Sequence, residues 1–576
     1  MTRTTQTAHR VLVLDADMAP ALAIARSLHR YGLIVDVASA VDHPIAAYSN
    51  AVNTSFRHPD PLVNEPGFID WLADRIADTA YALVIPVTER TVIPMASHRA
   101  RFAATTLALA ADTALAAALD KSRTLELARA LGIPAPRTAA IETIAQLDLR
   151  ASEFDFPVVV KPARSFGARD NQRMQLSVDY AFDARELAAK TTHALRYGSV
   201  LLQEYVGGQG VGIELIADHG KIVYAFQHLR LHEIPLTGGG SSLRASVAVE
   251  PALLDASAKL MDALAWHGVA MVEFKHDPIS GAFSLMEING RFWGSLPLAI
   301  AADADFPAML YELLIEGAVQ ARASARVGIY GRNLARDLYW TELVLRREGP
   351  AKLIRFPTRG QILKDALLFF SPRHRFDVQQ WRDIKPGLVD VWRIARAHIE
   401  RLSRIVAERR LARRLNKAWR SGEVARRLAV AHHVLFVCYG NINRSILAER
   451  YFRSQTIGMP IASISAGFHE DTGRPADPAM IEAARQRGID LAGAASKCVN
   501  NNLIAEADLI FVMEQRHYQR IAADYPDAAN RTFLLNDSGE IDDPYGKSPE
   551  SYTRCLNKVT ASIDHMTTII RSAGRK

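Results

Sequence analysis

One short run limits how this chain can fold: Val-Leu-Phe-Val-Cys-Tyr-Gly-Asn-Ile-Asn-Arg-Ser, from Val434 to Ser445. The four apolar residues Val434 to Val437 suit a strand buried on both faces, as in a parallel sheet. Ser445 opens an amphipathic helix, with Leu447 and Tyr451 four positions apart. Strand, tight loop and helix therefore follow one another. The thiol of Cys438 stands at one end of the loop and the guanidinium of Arg444 at the other, six positions on. Amides of a loop running into a helix N-terminus converge on one spot and favour an anion there. The same field favours a thiolate at Cys438. Arg444 can hold two oxygens of a phosphate with its planar fork, and Ser445 can donate a hydrogen bond to the sulfur. Gly440 and Asn441 suit the positive φ that so tight a cradle requires. Tyr439, Gly440, Asn441, Ile442, Asn443 and Ser445 complete this phosphate loop.

The run resembles the signature of the low-molecular-weight protein tyrosine phosphatases, Cys-x5-Arg-Ser after a strand. The likeness continues through Ser465-Ala466-Gly467, Pro475-Ala476-Asp477-Pro478, Arg487 to Leu491, and Asp542-Asp543-Pro544-Tyr545. The resemblance implies a nucleophile at Cys438, a phosphate clamp at Arg444, a general acid at Asp543 and a wall of the substrate slot at Tyr545. Two positions depart from the family's pattern. Asn443 stands where a second loop cysteine is usual, so oxidised Cys438 would have no resolving thiol in the loop. Ile446 stands where a proline often follows the Arg-Ser pair. Neither change removes a catalytic group. Cys498 and Cys555 read as structural thiols, and His469 either borders the slot or is an exposed loop residue.

A second constellation lies upstream. Met271 to Lys275 and Leu285 to Arg291 both read as strands. Alternation puts Glu287, Asn289 and Arg291 on one face, and a hairpin brings Glu273 beside them. Two carboxylates and an amide oxygen are hard ligands suited to Mg²⁺ held with nucleotide phosphates. Asp120-Lys121 opens a helix ending at Leu131-Gly132, ahead of Pro134 and Pro136. Phe156 to Pro162 reads as a strand carrying Lys161, followed by a loop with Ser165, Gly167 and Ala168; Val200 to Tyr205 is a strand carrying Glu204.

From residue 10 to about 317 this order resembles the ATP-grasp superfamily, closest in pattern to the carbamoyl-phosphate-synthase-like carboxylate ligases. The resemblance implies ATP and Mg²⁺ as cofactors, between two α+β subdomains. Metal contacts fall on Glu273, Glu287 and Asn289, and ATP contacts on Lys121, Lys161, Glu204 and Arg291. The implied reaction activates a carboxylate as an acylphosphate for attack by an amine. Gln209 stands where an acid often holds the ribose, and Glu214 lies a little later. Arg230, His232 and Arg244 flank the loop Thr237 to Ser242, which reads either as a cover over the substrate carboxylate or as a solvated surface loop. Phe292, Trp293 and Leu296 either line the acceptor pocket or belong to the core.

The 576 residues suggest an α/β protein of three or four domains at about 150 residues each. Residues 1–110 read as a small doubly wound, pre-ATP-grasp domain: strands at Val11–Leu14, Ile34–Val37 and Leu83–Pro86, and a helix at Ala21–Tyr31. No Gly-x-Gly-x-x-Gly follows the first strand, which argues against a nicotinamide site. Residues 111–317 form the ATP-grasp domain, 318–430 a helical basic linker, and 431–576 a doubly wound parallel-sheet phosphatase domain. With 3 cysteines, no signal peptide and no apolar run of ~18 residues, the expectation is a cytoplasmic chain without a transmembrane segment.

The formal charge is +7, yet residues 391–430 alone hold 12 Arg or Lys against 3 Glu. The remainder is near neutral, so no nucleic-acid role is implied. With arginines nearly all round and apolar positions at Ile394, Ile399, Leu402, Ile405 and Leu411, this stretch reads as a helical spacer of one or two long helices. The alternative is contact with an acidic partner or membrane surface.

The expected whole is a bifunctional enzyme. An ATP- and Mg²⁺-dependent ligase acts on a small-molecule carboxylate and amine. A cysteine-dependent phosphatase acts on a phosphotyrosine protein or a phosphorylated metabolite. Two rival readings stand beside it: a phosphatase gated by an ATP-sensing, non-ligating module, and a ligase with a non-catalytic phosphate-binding module.

Overall fold

The computed structural model describes residues 9–162, 166–169, 172–175 and 178–574, with 166–169 and 172–175 described by backbone alone. The chain divides into two compact units, Met1–Ala395 and Arg396–Lys576.

The first unit begins with five parallel strands in the order Thr54–Arg57, Ile34–Ser39, Arg10–Val13, Tyr81–Ile85, Thr106–Leu107. Their apolar runs are buried on both faces by the helices between them, the arrangement of a doubly wound sheet. A four-stranded antiparallel sheet follows, in the order Asp179–Ala181, Val158–Pro162, Val200–Glu204, Thr138–Ile141. Opposite it stands a seven-stranded sheet in the order Phe283–Asn289, Gly268–His276, Gln209–Asp218, Lys221–Ile234, Gly240–Val247, Tyr330–Arg332, His374–Phe376. Ser165 lies outside the described residues. Gly167 and Ala168, expected in a loop, stand in the strand Phe166–Arg169, paired antiparallel with Gln172–Gln175.

The stretch 318–430 contains more than the helices expected of it. Tyr330–Arg332 and His374–Phe376 are the last two strands of the large sheet. Three residues are too few for alternation to register in sequence. The basic segment itself forms two helices, Ile384–Arg420 and Glu423–Leu428, separated at Gly422 with φ +72°. The division between the two units falls inside the longer helix.

The second unit is built on four parallel strands in the order Ala462–Gly467, His433–Cys438, Leu509–Val512, Thr532–Leu534. Val434 to Val437 are each buried, as a strand covered on both faces requires. Part of the basic segment completes this core: Leu415, Ala418, Trp419, Val424 and Leu428 are all buried within it. The Trp419 indole donates to Leu534 O at 2.9 Å. The core therefore takes in residues before 431. Trp419→Ala should destabilise this unit by about 3–5 kcal/mol, read as a lowered urea midpoint; a change below about 1 kcal/mol would mean that the helix end merely rests on the surface.

Candidate active sites

Cys438 ends its strand at the carboxyl edge of the parallel sheet, where such sheets collect their ligands. The loop then turns through Asn441 at φ +53°, a left-handed conformation that asparagine tolerates. Asn441 N–H donates to Cys438 Sγ at 3.2 Å. The Asn441 amide nitrogen donates to Ser445 Oγ and to Ser465 Oγ, both at 2.9 Å, and Ser465 donates to Glu449 at 2.6 Å. Asn441 Oδ1 accepts from Lys497 N at 2.8 Å. Ser445 Oγ accepts a hydrogen bond from Asn441, lies 2.9 Å from Cys438 Sγ and has Ala466 O within donating distance at 3.3 Å. Arg474 braces the loop by donating to Gly440 O at 2.8 Å.

Arg444 is the first residue of the helix Arg444–Gln455 and is 1% exposed. It donates to Asp543 Oδ2 at 2.6 Å, to Glu514 Oε2 at 2.8 Å and to Ile541 O at 2.9 Å. Burial works against the Arg444 charge, but Cys438, Asp543 and Glu514 outweigh it and raise its pKa. Tyr439 and Tyr545 are both exposed, and His469 meets the edge of the Tyr439 ring. Asn443 is buried in the loop. Cys555 is buried and its thiol is pushed up to about 12 by desolvation.

Sequence reasoning missed Glu514. Burial raises its pKa, and the hydrogen bond and charge of Arg444 pull it below the usual carboxylate range. Its signal was position: it follows Met513 just past the strand Leu509–Val512, at the same edge of the sheet as Cys438.

In the first unit, Glu273 and Glu287 stand directly opposite each other in antiparallel register. Asn289 donates its amide nitrogen to Glu273 Oε1 at 3.0 Å, which leaves the amide oxygen available. Arg230 pairs with Glu273 at 2.6 Å, and Lys121, at the start of the helix Lys121–Ala130, lies 3.9 Å from Glu287. Asp120 caps that helix by accepting from Ser122 N and Arg123 N. Lys161 comes from the four-stranded sheet. It is buried, donates to Gln203 Oε1 at 3.3 Å and is pushed down to about 8 by desolvation, against the opposing pull of Glu287. Burial raises the Glu287 pKa, but Lys121, Lys161, Arg230 and Arg291 overcome it and leave the carboxyl below its ordinary range. This oxygen-rich set, ringed by cations, has the chemistry of a site for a hard divalent cation with phosphates.

Arg291 lies beyond the strand expected to carry it. The strand ends at Asn289, and at Gly290 the backbone lies so close to Trp266 that a Cβ would sit 2.5 Å from its ring. Alternation stops there, and the Arg291 guanidinium reaches Glu89 at 3.1 Å. The Glu204 carboxylate accepts from Arg137 N at 2.8 Å. The charges beside the Thr237–Ser242 loop are not solvated: Arg244 pairs with Asp377 at 2.5 Å, and His232 lies between Asp337 and Asp365 at 2.7 and 3.2 Å. Glu214 is buried and accepts from Ser295 at 2.5 Å. Phe292, Trp293 and Leu296 are buried in the core.

Residues 433–575 match the family model described as low molecular weight phosphotyrosine protein phosphatase. The "Probable low molecular weight protein-tyrosine-phosphatase EpsP" of Ralstonia nicotianae is 32% identical over 143 residues, covering 24% of this chain and 97% of that protein. The chain belongs to this phosphatase family. Its phosphatase domain is also 34% identical over 122 residues to the low molecular weight protein-tyrosine-phosphatase Etp of Escherichia coli, covering 21% of this chain and 81% of that protein. Residues 196–335 match a second family model, ATP-grasp in the biosynthetic pathway with Ter operon, so an ATP-grasp domain shares the chain with the phosphatase domain. Both belong to enzyme families, and ATP-grasp enzymes in general use ATP and Mg²⁺. Among solved structures, the L-amino acid ligase from Bacillus licheniformis is 17% identical with a TM-score of 0.42, covering 54% of this chain and 75% of that one. Among the described residues no helix is long and apolar enough to cross a membrane.

The phosphatase domain also carries a buried imidazole whose titration can be read. His517, beside Glu514, is pushed down to about 3 by burial, with Arg444 acting in the same direction. The unfolded chain titrates this group near 6.5. Between about pH 6.5 and 3 the unfolded state takes up a proton that the folded state refuses. This contribution to stability is intact above about pH 6.5 and is lost as pH falls toward 3. His517→Gln should flatten the decline of the domain's urea midpoint between about pH 6.5 and 4; an unchanged slope would assign that decline to other groups.

Proposed function

We propose that the phosphatase domain hydrolyses phosphotyrosine with Cys438 as nucleophile, Arg444 as clamp and Asp543 as general acid, and that the ATP-grasp domain joins a small-molecule carboxylate to an amine. The observation that carries the first half is convergence within one loop. Asn441 N–H donates to Cys438 Sγ and Ser445 Oγ stands 2.9 Å from it, while Arg444 joins that loop to Asp543. In the first step the sulfur attacks phosphorus in line, the P–O bond to the leaving group breaks, and Asp543 protonates the departing oxygen. In the second, water attacks phosphorus, Asp543 takes its proton, and the S–P bond breaks. Arg444 and the loop amides hold the equatorial oxygens throughout. Tyr439 and Tyr545 supply the walls for an aryl ring.

For the ligase, Glu273, Glu287 and the free amide oxygen of Asn289 would hold Mg²⁺, which neutralises phosphate charge when bound. Lys121 and Lys161 would meet the nucleotide phosphates, Glu204 marks the strand beside the base, and Arg291 adds positive field at Glu287. In this reading the domains run 1–110, 111–317, 318–430 and 431–576 in a cytoplasmic protein, with the basic helices as spacer and with core residues of the phosphatase drawn from the end of that spacer.

Small aryl phosphates test the phosphatase. Wild type should hydrolyse them and Cys438→Ser should fall to background, with and without ATP and Mg²⁺; hydrolysis that survives in Cys438→Ser would reject the nucleophile. Asp543→Asn should slow substrates with poor leaving groups by about 10²–10⁴ and those with good ones much less. Equal slowing would count against a general acid. On the other half, Glu287→Gln should abolish ATP turnover that depends on added carboxylate and amine while aryl phosphate hydrolysis continues. If both activities vanished, the two sites would not be independent.

A further inference from the structure

Beside the proposed acid loop the phosphatase domain carries a cavity of about 90 Å³. Asp542, Asp543, Lys547, Ser551, Arg554 and Lys558 are among the residues that line it. Ser551, Arg554 and Lys558 recur at helical spacing on one face of the helix Pro549–Ser572, and Lys547 lies in the turn just before it. The lining comprises three cations, two carboxylates and one hydroxyl, together with Pro544 and Cys555. Asp543 is committed to Arg444 at 2.6 Å. Among the described residues none of the three cations takes part in an ion pair. Arg554 donates to Ser551 Oγ at 3.0 Å, and Lys558 donates to Glu540 O at 3.2 Å.

Three cations lining one depression together with a single carboxylate uncommitted among the described residues, Asp542, leave a net positive field beside Asp543. Tyr545, the proposed wall of the aryl slot, lies two residues beyond Asp543. A group carried on a peptide next to a phosphotyrosine seated against Tyr545 is therefore within the neighbourhood of these cations. We infer that the cavity is a second anion subsite, which takes a carboxylate or a second phosphate flanking the phosphotyrosine of a peptide substrate. This rests on the reading of the Cys438 site as a phosphotyrosine phosphatase. The occupant follows from charge complementarity: cations without carboxylate partners gain most from an acidic group of the substrate.

The test compares three phosphotyrosine peptides of equal length on the full chain: one with neutral flanks, one with aspartate and glutamate flanks, and one with a second phosphotyrosine as flank. Wild-type kcat/KM should be roughly tenfold higher for an acidic peptide than for the neutral one at low salt. The advantage should shrink toward unity near ~1 M salt, where the Debye length is about 3 Å. A gain with either acidic peptide supports the subsite and identifies the anion it takes. The combined variant Lys547→Ala, Arg554→Ala, Lys558→Ala should bring the ratio of acidic to neutral kcat/KM close to one. Equal kcat/KM for all three peptides in wild type would overturn the subsite, as would a preference that survives the combined variant. Wild-type hydrolysis of a small aryl phosphate, run alongside, reports on the phosphatase reading alone. Its absence would overturn that reading and the subsite with it, whereas its presence with no peptide preference would overturn the subsite only.

Discussion

Arg444 is a full positive charge almost wholly removed from water. An uncompensated charge in such a place would cost several kcal/mol. The phosphatase domain meets that demand with two carboxylates from separate parts of the chain, Glu514 after the strand Leu509–Val512 and Asp543 in the loop near the C-terminus. The arrangement of loops follows from this. To neutralise one guanidinium the fold must bring the cradle, the end of a neighbouring strand and the acid loop to a single point. The same logic operates in the ATP-grasp domain, where Glu287 draws Lys121 from a helix and Lys161 from the facing sheet toward one carboxylate.

Asn441 is the second constraint. A single side chain contacts two hydroxyls and one backbone amide while its own N–H points at the sulfur. The backbone here is left-handed, at φ +53°, a conformation asparagine tolerates better than most residues. Gly467, on the strand paired with the Cys438 strand, keeps this turn close, since a Cβ there would lie 2.6 Å from Tyr439 O. Cradle shape and sheet register are thus one problem rather than two.

What could be read in the sequence was whatever left a periodic or closely spaced trace. The strand, loop and helix around Cys438 were legible because an apolar run, a turn and an amphipathic helix adjoin within a dozen residues. The Glu273 and Glu287 hairpin was legible because alternation fixes which side chains share a face. Interactions across long separations left no such trace. Glu514 has no local pattern tying it to Arg444, seventy residues away. The strands Tyr330–Arg332 and His374–Phe376 are too short to alternate visibly. Arg291 lies two residues past the end of the strand, where alternation no longer tells which way a side chain points. Trp419 was masked by the arginines around it, since a helix with charge on every side hides which end is buried.

One consequence follows from how Arg444 is held. Three of its five N–H donors are engaged by Glu514, Ile541 O and Asp543, while among the described residues Nε–H has no partner. On the proposed reading an incoming phosphate therefore meets an open donor and need not displace either carboxylate. The acids fix the direction of the fork before any substrate arrives, so aiming the clamp and using it are separate tasks of one side chain.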